Sequence, residues 1–284
     1  MTHHDRPLAV LGAGIMGHGI AHAAIAAGYE TRLYDVADAP LQKAMTAVQG
    51  IVAKGVELGK VAPEDAAAMI GRLSTTTLVA EAVSGVGVII EAAPEKMDLK
   101  LALLAAVQAA APADAVVASN TSALSITEMA AVLERPGRMG GMHFFNPVHK
   151  MKLVEIVQAL ETTDDTVQVM TALAAAMGKE TVLIRESPGF ITSRINAMIG
   201  NEAFYMLQEG VASARDIDKA LKLGLNHPMG PFELVDLVGL DTRLSILRYL
   251  HRTLGEKFRP CPLIEQHVVA GRLGRKVGRG VYDY

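Results

Sequence analysis

Residues 8–17 read Leu-Ala-Val-Leu-Gly-Ala-Gly-Ile-Met-Gly, an apolar run that breaks into three glycines at 12, 14 and 17. The run has the length of a strand, and the G-x-G-x-x-G spacing after it opens a helix. A second strand-length run, Thr31 to Tyr34, ends at Asp35, 23 residues (35 minus 12) after the first glycine. Strand, glycine turn, helix, strand and acid in that order predict a dinucleotide-binding βαβ unit. Gly12 permits the tight turn, Gly14 lets a pyrophosphate approach the backbone, and Gly17 lets helix and strand pack closely. The phosphates then meet Ile15 and Met16, where the free N–H groups and dipole of the helix favour an anion. Asp35 would accept hydrogen bonds from the adenosine ribose and repel a 2′-phosphate, which favours NAD over NADP. The competing reading is a glycine-rich packing loop with Asp35 as a solvated turn residue.

Working outward, strand-length apolar runs alternate with helical stretches. The runs are Leu8 to Leu11, Thr31 to Tyr34, Val86 to Ile90, Ala115 to Ala118 and Arg138 to Phe144. Helices are expected near 15–27, 37–59, 97–110 and 126–133, the last introduced by Ser125 and Glu128 as a capping box. Further strands are read at Lys152 to Val157 and Thr181 to Ile184, with a helix from Asp164 to Met177 between them and Gly178 as its left-handed cap. This is the pattern of a doubly wound α/β domain of Rossmann type with a mainly parallel sheet. Ser187, Pro188 and Gly189 break the pattern and mark a domain boundary. Beyond it, Ile191, Ile195, Met198, Ile199, Ala203, Met206 and Leu207 recur at helical spacing, and Ser213 with Asp216 caps another helix. The chain is therefore divided into a nucleotide-binding domain, 1–186, and an all-α domain, 187–284.

Composition narrows the function. A length of 284 residues, with 50% hydrophobic and 20% charged positions, describes an ordinary folded protein of about two domains. Twenty-seven basic against 30 acidic residues give a net charge of -3, which offers no phosphate-tracking stripe for a nucleic acid. The single cysteine, Cys261, can form neither an internal disulfide nor a cysteine-based zinc cluster. Pro7 to Tyr29 lacks charged residues other than histidine, yet five glycines and two histidines make it a poor membrane span, so no membrane partner is expected. His18 and His22 stand four apart on a helix, a spacing that can bind metal, but without a third ligand they read as helix-face residues.

Three further segments carry chemistry. Ser119-Asn120-Thr121-Ser122 follows a strand, where open α/β sheets bind their ligands. His143 closes another strand in His-Phe-Phe-Asn-Pro, and Glu155 lies inside the apolar run Leu153-Val154-Glu155-Ile156-Val157, where a carboxylate needs a partner. By the residues alone, His143 could be structural and Glu155 could simply form a salt bridge.

With these segments the chain resembles the L-3-hydroxyacyl-CoA dehydrogenases, and among them the bacterial 3-hydroxybutyryl-CoA dehydrogenases, over essentially its full length. The resemblance rests on LGAGIMG from Leu11, SNTSAL from Ser119, HFFNPV from His143, KLVEIV from Lys152, SPGF from Ser187, NHPMGPFELVDLVGLD from Asn226 and GRKVGRGVYDY from Gly274. It implies an NAD-dependent oxidoreductase that interconverts (3S)-3-hydroxyacyl-CoA and 3-oxoacyl-CoA, with 3-hydroxybutyryl-CoA and acetoacetyl-CoA as the expected pair. It makes His143 the general base, Glu155 its partner, and Ser122 a contact to the reacting oxygen and the cofactor. Asn120 helps shape that loop. Glu95, Lys100, Asn146 and Lys276 match positions that contact NAD. Lys54 and Lys60 are candidates for the CoA phosphates. Where many members have an asparagine to hold the substrate carbonyl, this chain has Ser193, and Asn196 on the same helical face could supply an amide instead. The same reading expects no metal, a homodimer and a cytoplasmic location. Two alternatives stay open: a dehydrogenase of a free hydroxy or sugar acid, and a non-catalytic nucleotide-binding protein.

Overall fold

The computed structural model describes residues 5–284. The chain divides into two compact units, one ending at Glu186 and the other Ser187–Tyr284. The first is built on an eight-stranded sheet of order β3-β2-β1-β4-β5-β6-β7-β8. Its strands are β1 (Leu8–Leu11), β2 (Thr31–Tyr34), β3 (Leu73–Thr76), β4 (Val88–Glu91), β5 (Val116–Ser119), β6 (Met139–Phe144), β7 (Leu153–Gln158) and β8 (Glu180–Arg185). Strands β1 to β6 pair in parallel. Then β7 runs antiparallel to β6, and β8 follows β7 in parallel. Residues of β1, β4, β5 and β6 are buried throughout, as expected of strands covered on both faces.

Helices α1 (Ile15–Ala26), α2 (Asp38–Glu57), α3 (Pro63–Gly71), α4 (Val79–Val83), α5 (Met97–Ala110), α6 (Ile126–Ala130) and α7 (Asp164–Ala176) complete this unit. The sequence reading passes over β3, α3 and α4. Only Leu73 of β3 is buried, so this edge strand carries no apolar run to betray it. The capping expected at Ser125 is present, its hydroxyl accepting from the Glu128 N–H at 3.1 Å. Gly178 adopts φ +69°, the left-handed cap that ends α7.

The second unit contains α8 (Thr192–Gln208), α9 (Ala214–Gly224), α10 (Pro231–Val238), α11 (Leu240–Leu254) and α12 (Pro262–Val269). Phe204, Phe232, Leu240, Leu247, Leu250, Phe258 and Ile264 form its own core. Two buried carboxylates fasten residues 281–284 to this helical body. Asp218 accepts from the N–H groups of Phe232 and Glu233 at the start of α10 and from the Tyr282 hydroxyl. Asp236 accepts from the N–H groups of Val281 and Tyr282 and from the Tyr284 hydroxyl. Among the described residues no helix is long and apolar enough to cross a membrane.

Candidate active site

The three glycines of the first turn meet different surroundings. Gly12 has φ +110°, and a Cβ there would lie 2.6 Å from the Ala92 carbonyl oxygen. A Cβ on Gly17 would lie 1.7 Å from the Gly12 carbonyl oxygen, so helix and strand touch backbone to backbone. Around Gly14 nothing lies within 4 Å of such an atom. The start of α1 has no side-chain cap and no acidic residue in its first turn, which leaves the N–H groups of Ile15, Met16 and Gly17 to an anion. Asp35 accepts from the Ala13 N–H through Oδ2 and from the Val36 N–H through Oδ1, both at 2.8 Å. A carboxylate has about four lone-pair sites, so two stay available for ribose hydroxyls. An open cradle, uncapped N–H groups and a fixed acid beside them fit a dinucleotide.

A second constellation gathers where β4 and β5 end. Glu91 is wholly buried, and its carboxylate takes bonds from Lys100 Nζ at 2.7 and 2.9 Å, from Ser119 Oγ at 2.5 Å and from the Ala93 N–H at 2.6 Å. Lys100 is 1% exposed and also donates to the Ala93 carbonyl. Glu95 lies 3.5 Å from the same ammonium, and its Oε1 accepts from Thr121 Oγ1, Ser122 N and Ser122 Oγ. Asn120 lends its Oδ1 to the Phe144 N–H at 2.9 Å, which ties this loop to β6. Thus Glu95, Lys100, Asn120 and Ser122 share one hydrogen-bonded network. Glu91 and Thr121 belong to it too and were missed. Glu91 closes an apolar run just as Glu155 interrupts one, so the same demand for a partner would have singled it out.

The antiparallel turn of β7 sets Glu155 directly across from His143 in the strand register. Their side chains meet at 2.6 Å between Nδ1 and Oε2, with His143 7% and Glu155 1% exposed. Phe145 tilts against the imidazole at 4.5 Å between ring centres. In the neutral tautomer that donates Nδ1–H to the carboxylate, Nε2 carries the lone pair and can accept a proton.

The remaining expected residues have surroundings of their own. Lys54 is exposed on α2, paired with Glu57 at 2.7 Å. Asn146 is exposed in the loop after β6. Ser193, half-buried, and Asn196, exposed, belong to α8. Lys276, also in the second unit, holds both oxygens of Asp241 at 2.6 and 2.7 Å. Burial pushes the Asp241 carboxyl up, but the bonds from Lys276 and the backbone outweigh it and hold it below its ordinary value. His22 packs edge-on against His149 at 6.2 Å between ring centres. Burial and the neighbouring His149, Lys179 and His18 push the His22 imidazole down to about 4. Among the described residues no three His, Cys, Asp or Glu side chains gather as a metal site.

Comparison with known proteins places this geometry. Residues 7–187 match the 3-hydroxyacyl-CoA dehydrogenase NAD-binding domain, and residues 189–284 match the C-terminal domain of the same family. A probable 3-hydroxybutyryl-CoA dehydrogenase of Bacillus subtilis is 44% identical over 280 residues, 98% of this chain and 97% of the relative. The 3-hydroxybutyryl-CoA dehydrogenase of Bradyrhizobium diazoefficiens is 41% identical, covering 98% of this chain and 95% of the relative. The solved (S)-3-hydroxybutyryl-CoA dehydrogenase of Ralstonia eutropha superposes with a TM-score of 0.94 at 41% identity, over 98% of this chain and 99% of that one. With the two domains of the family matched in succession along residues 7–187 and 189–284 and the glycine cradle intact, the chain belongs to the 3-hydroxyacyl-CoA dehydrogenase family, its first unit being that family's NAD-binding domain.

Proposed function

We propose that this protein is an NAD-dependent dehydrogenase of short-chain (3S)-3-hydroxyacyl-CoA, interconverting 3-hydroxybutyryl-CoA and acetoacetyl-CoA, with His143 as the acid–base group. The observation that carries this reading is the buried His143–Glu155 pair, at 2.6 Å. Glu155 fixes the tautomer, so Nε2 takes the 3-hydroxyl proton during oxidation and returns it to the C3 oxygen during reduction. The imidazolium formed in between is stabilised by a carboxylate that water scarcely screens. The glycine turn and Asp35 would hold NAD, which would supply the hydride acceptor for C3.

Other residues fall into supporting roles. Ser122 Oγ, which now donates to Glu95, can turn to the substrate oxygen. Lys100 and Glu91 brace the loop that carries Ser122, and through it Glu95 keeps its place beside the cofactor. Ser193 and Asn196 hold the thioester carbonyl, Lys54 and Lys60 attract the CoA phosphates, and Lys276 and Asn146 contact the cofactor. Ile191, the N-cap of α8, and Ile195 and Met198 within it are exposed at helical spacing and support a homodimer, which sedimentation tests.

The deciding experiment follows NADH oxidation at 340 nm with acetoacetyl-CoA, with NADPH for comparison. Turnover with NADH, little with NADPH, is the expected result. His143→Ala retains NADH binding and loses about 10²–10⁴-fold in kcat. Undiminished turnover in that variant removes the proposed base.

A further inference from the structure

The segment His143-Phe144-Phe145 carries two adjacent phenylalanines, and the structure gives them different neighbours. Successive side chains of an extended backbone point to opposite faces, so residues 143 and 145 share one face and residue 144 takes the other. Phe144 is 2% exposed and belongs to the apolar core of the first unit. Phe145 stays half-buried, its ring centre 4.5 Å from that of the His143 imidazole and the two planes 50° apart. Core packing accounts for Phe144 and leaves the choice of an aromatic ring at 145 to the histidine beside it. The backbone between them is fixed as well, since the Phe144 N–H donates to Asn120 Oδ1 at 2.9 Å and so ties this segment to the loop of Ser122.

We propose that Phe145 is a positioning residue for His143, its ring setting the tilt of the imidazole and its π electrons stabilising the imidazolium that forms when Nε2 takes the hydroxyl proton. The proposal rests on the reading above that makes His143 the acid–base group. The bond to Glu155, at 2.6 Å, sets where Nδ1 lies. The tilt of the ring, which aims Nε2, also depends on what packs against the imidazole, and proton transfer needs that nitrogen within hydrogen-bond reach of the hydroxyl. An aromatic face is the negative side of the ring's quadrupole, and a cation within about 6 Å of the ring centre is drawn to it, most strongly where water is scarce. His143, 7% exposed, lies inside that distance when it becomes a cation. Glu155 and Phe145 thus stabilise the same charge by different means, one through a hydrogen bond and the other through ring electrons. The contribution of Phe145 belongs to the chemical step and not to thioester binding.

The test follows the single-turnover rate of NADH formation from (3S)-3-hydroxybutyryl-CoA while position 145 is varied. Phe145→Leu should lose about tenfold in that rate, with the steady-state KM within about twofold of the wild type. Phe145→Tyr, which restores an aromatic face, should recover most of the loss. Replacing Phe145 by 4-fluoro-, 3,5-difluoro- and pentafluorophenylalanine keeps the ring in place and withdraws charge from its face step by step, so the rate should fall in that order. A flat series, or a loss that appears in KM alone, overturns the role given to Phe145, because a ring that only fills space answers to its shape and not to its electrons. His143→Ala separates the failures. If that variant loses turnover while the fluorinated series is flat, only Phe145 falls; if it turns over as fast as the wild type, the underlying reading falls and takes Phe145 with it.

Discussion

Glu91 has no exposed surface, yet its carboxylate is saturated by Lys100, Ser119 and the Ala93 N–H. Removing its charge would leave the Lys100 ammonium buried, with Glu95 at 3.5 Å as the nearest acid. Breaking a buried pair from one side costs about 3–5 kcal/mol. Glu91→Gln should therefore lower the urea-unfolding free energy by that amount, and a loss below about 1 kcal/mol would show that the pair is not what holds the loop. At this scale the sequence was readable where a single residue breaks an apolar run, as at Glu155. It was silent about contact: the bond between His143 and Glu155, twelve positions apart in sequence, depends on β7 reversing direction, which the residues between them do not announce. The burial of Arg243, 4% exposed on α11, was invisible for a similar reason, since an arginine on a helix looks like an exposed position until its neighbours close over it.

The first βα turn shows how much an element can disclose. The apolar run Leu8–Leu11 and the glycines after it mark the strand, the turn and the start of α1, because each glycine answers a separate steric demand. Those demands make a paired prediction. Gly14→Ala places its methyl in open space, so the melting temperature should hold while NADH affinity falls by at least about tenfold, or 1.4 kcal/mol. Gly17→Ala drives its methyl to 1.7 Å from the Gly12 carbonyl oxygen, so the melting temperature should fall markedly. Calorimetry with fluorescence titration reads both, and equal effects on the two variants would contradict the division of labour. Helix ends with polar caps were equally legible: Ser213 accepts from the Asp216 N–H at 3.2 Å, where the sequence places a cap. By contrast β3, Leu-Ser-Thr-Thr, owes its strand conformation to pairing with β2, a tertiary cause that a local pattern does not carry.

For the molecule as a whole, the cluster of His22, His18 and His149 contributes to the response to acid. Burial is the main cause of all three downward shifts, and His22 falls to about 4. An unfolded chain protonates such an imidazole near 6.5, whereas the folded chain does so only near 4. Between those values the unfolded state binds more protons, so stability is level above neutrality and declines as the pH falls from 6.5 towards 4. The decline is at most about 1.4 kcal/mol per pH unit for one such group. Urea midpoints at successive pH values should fall less steeply in His22→Leu than in the wild type, and identical slopes would remove His22 as the source.

The carboxylates of Asp218 and Asp236 bear on how the protein is made. They are buried beneath α9 and α10, but their acceptors are completed only by Val281, Tyr282 and Tyr284. A ribosome adding roughly 5–20 residues per second releases the nucleotide-binding unit first and needs several seconds more to reach Tyr282. Until then Asp218 keeps only its bonds from Phe232 and Glu233, and Asp236 lacks those from residues 281–284, so burying the two acids costs more than it does once those residues are in place. The helices of the second unit thus depend on residues 281–284 to make the burial of two acids favourable, and completion of its core waits on the synthesis of that segment.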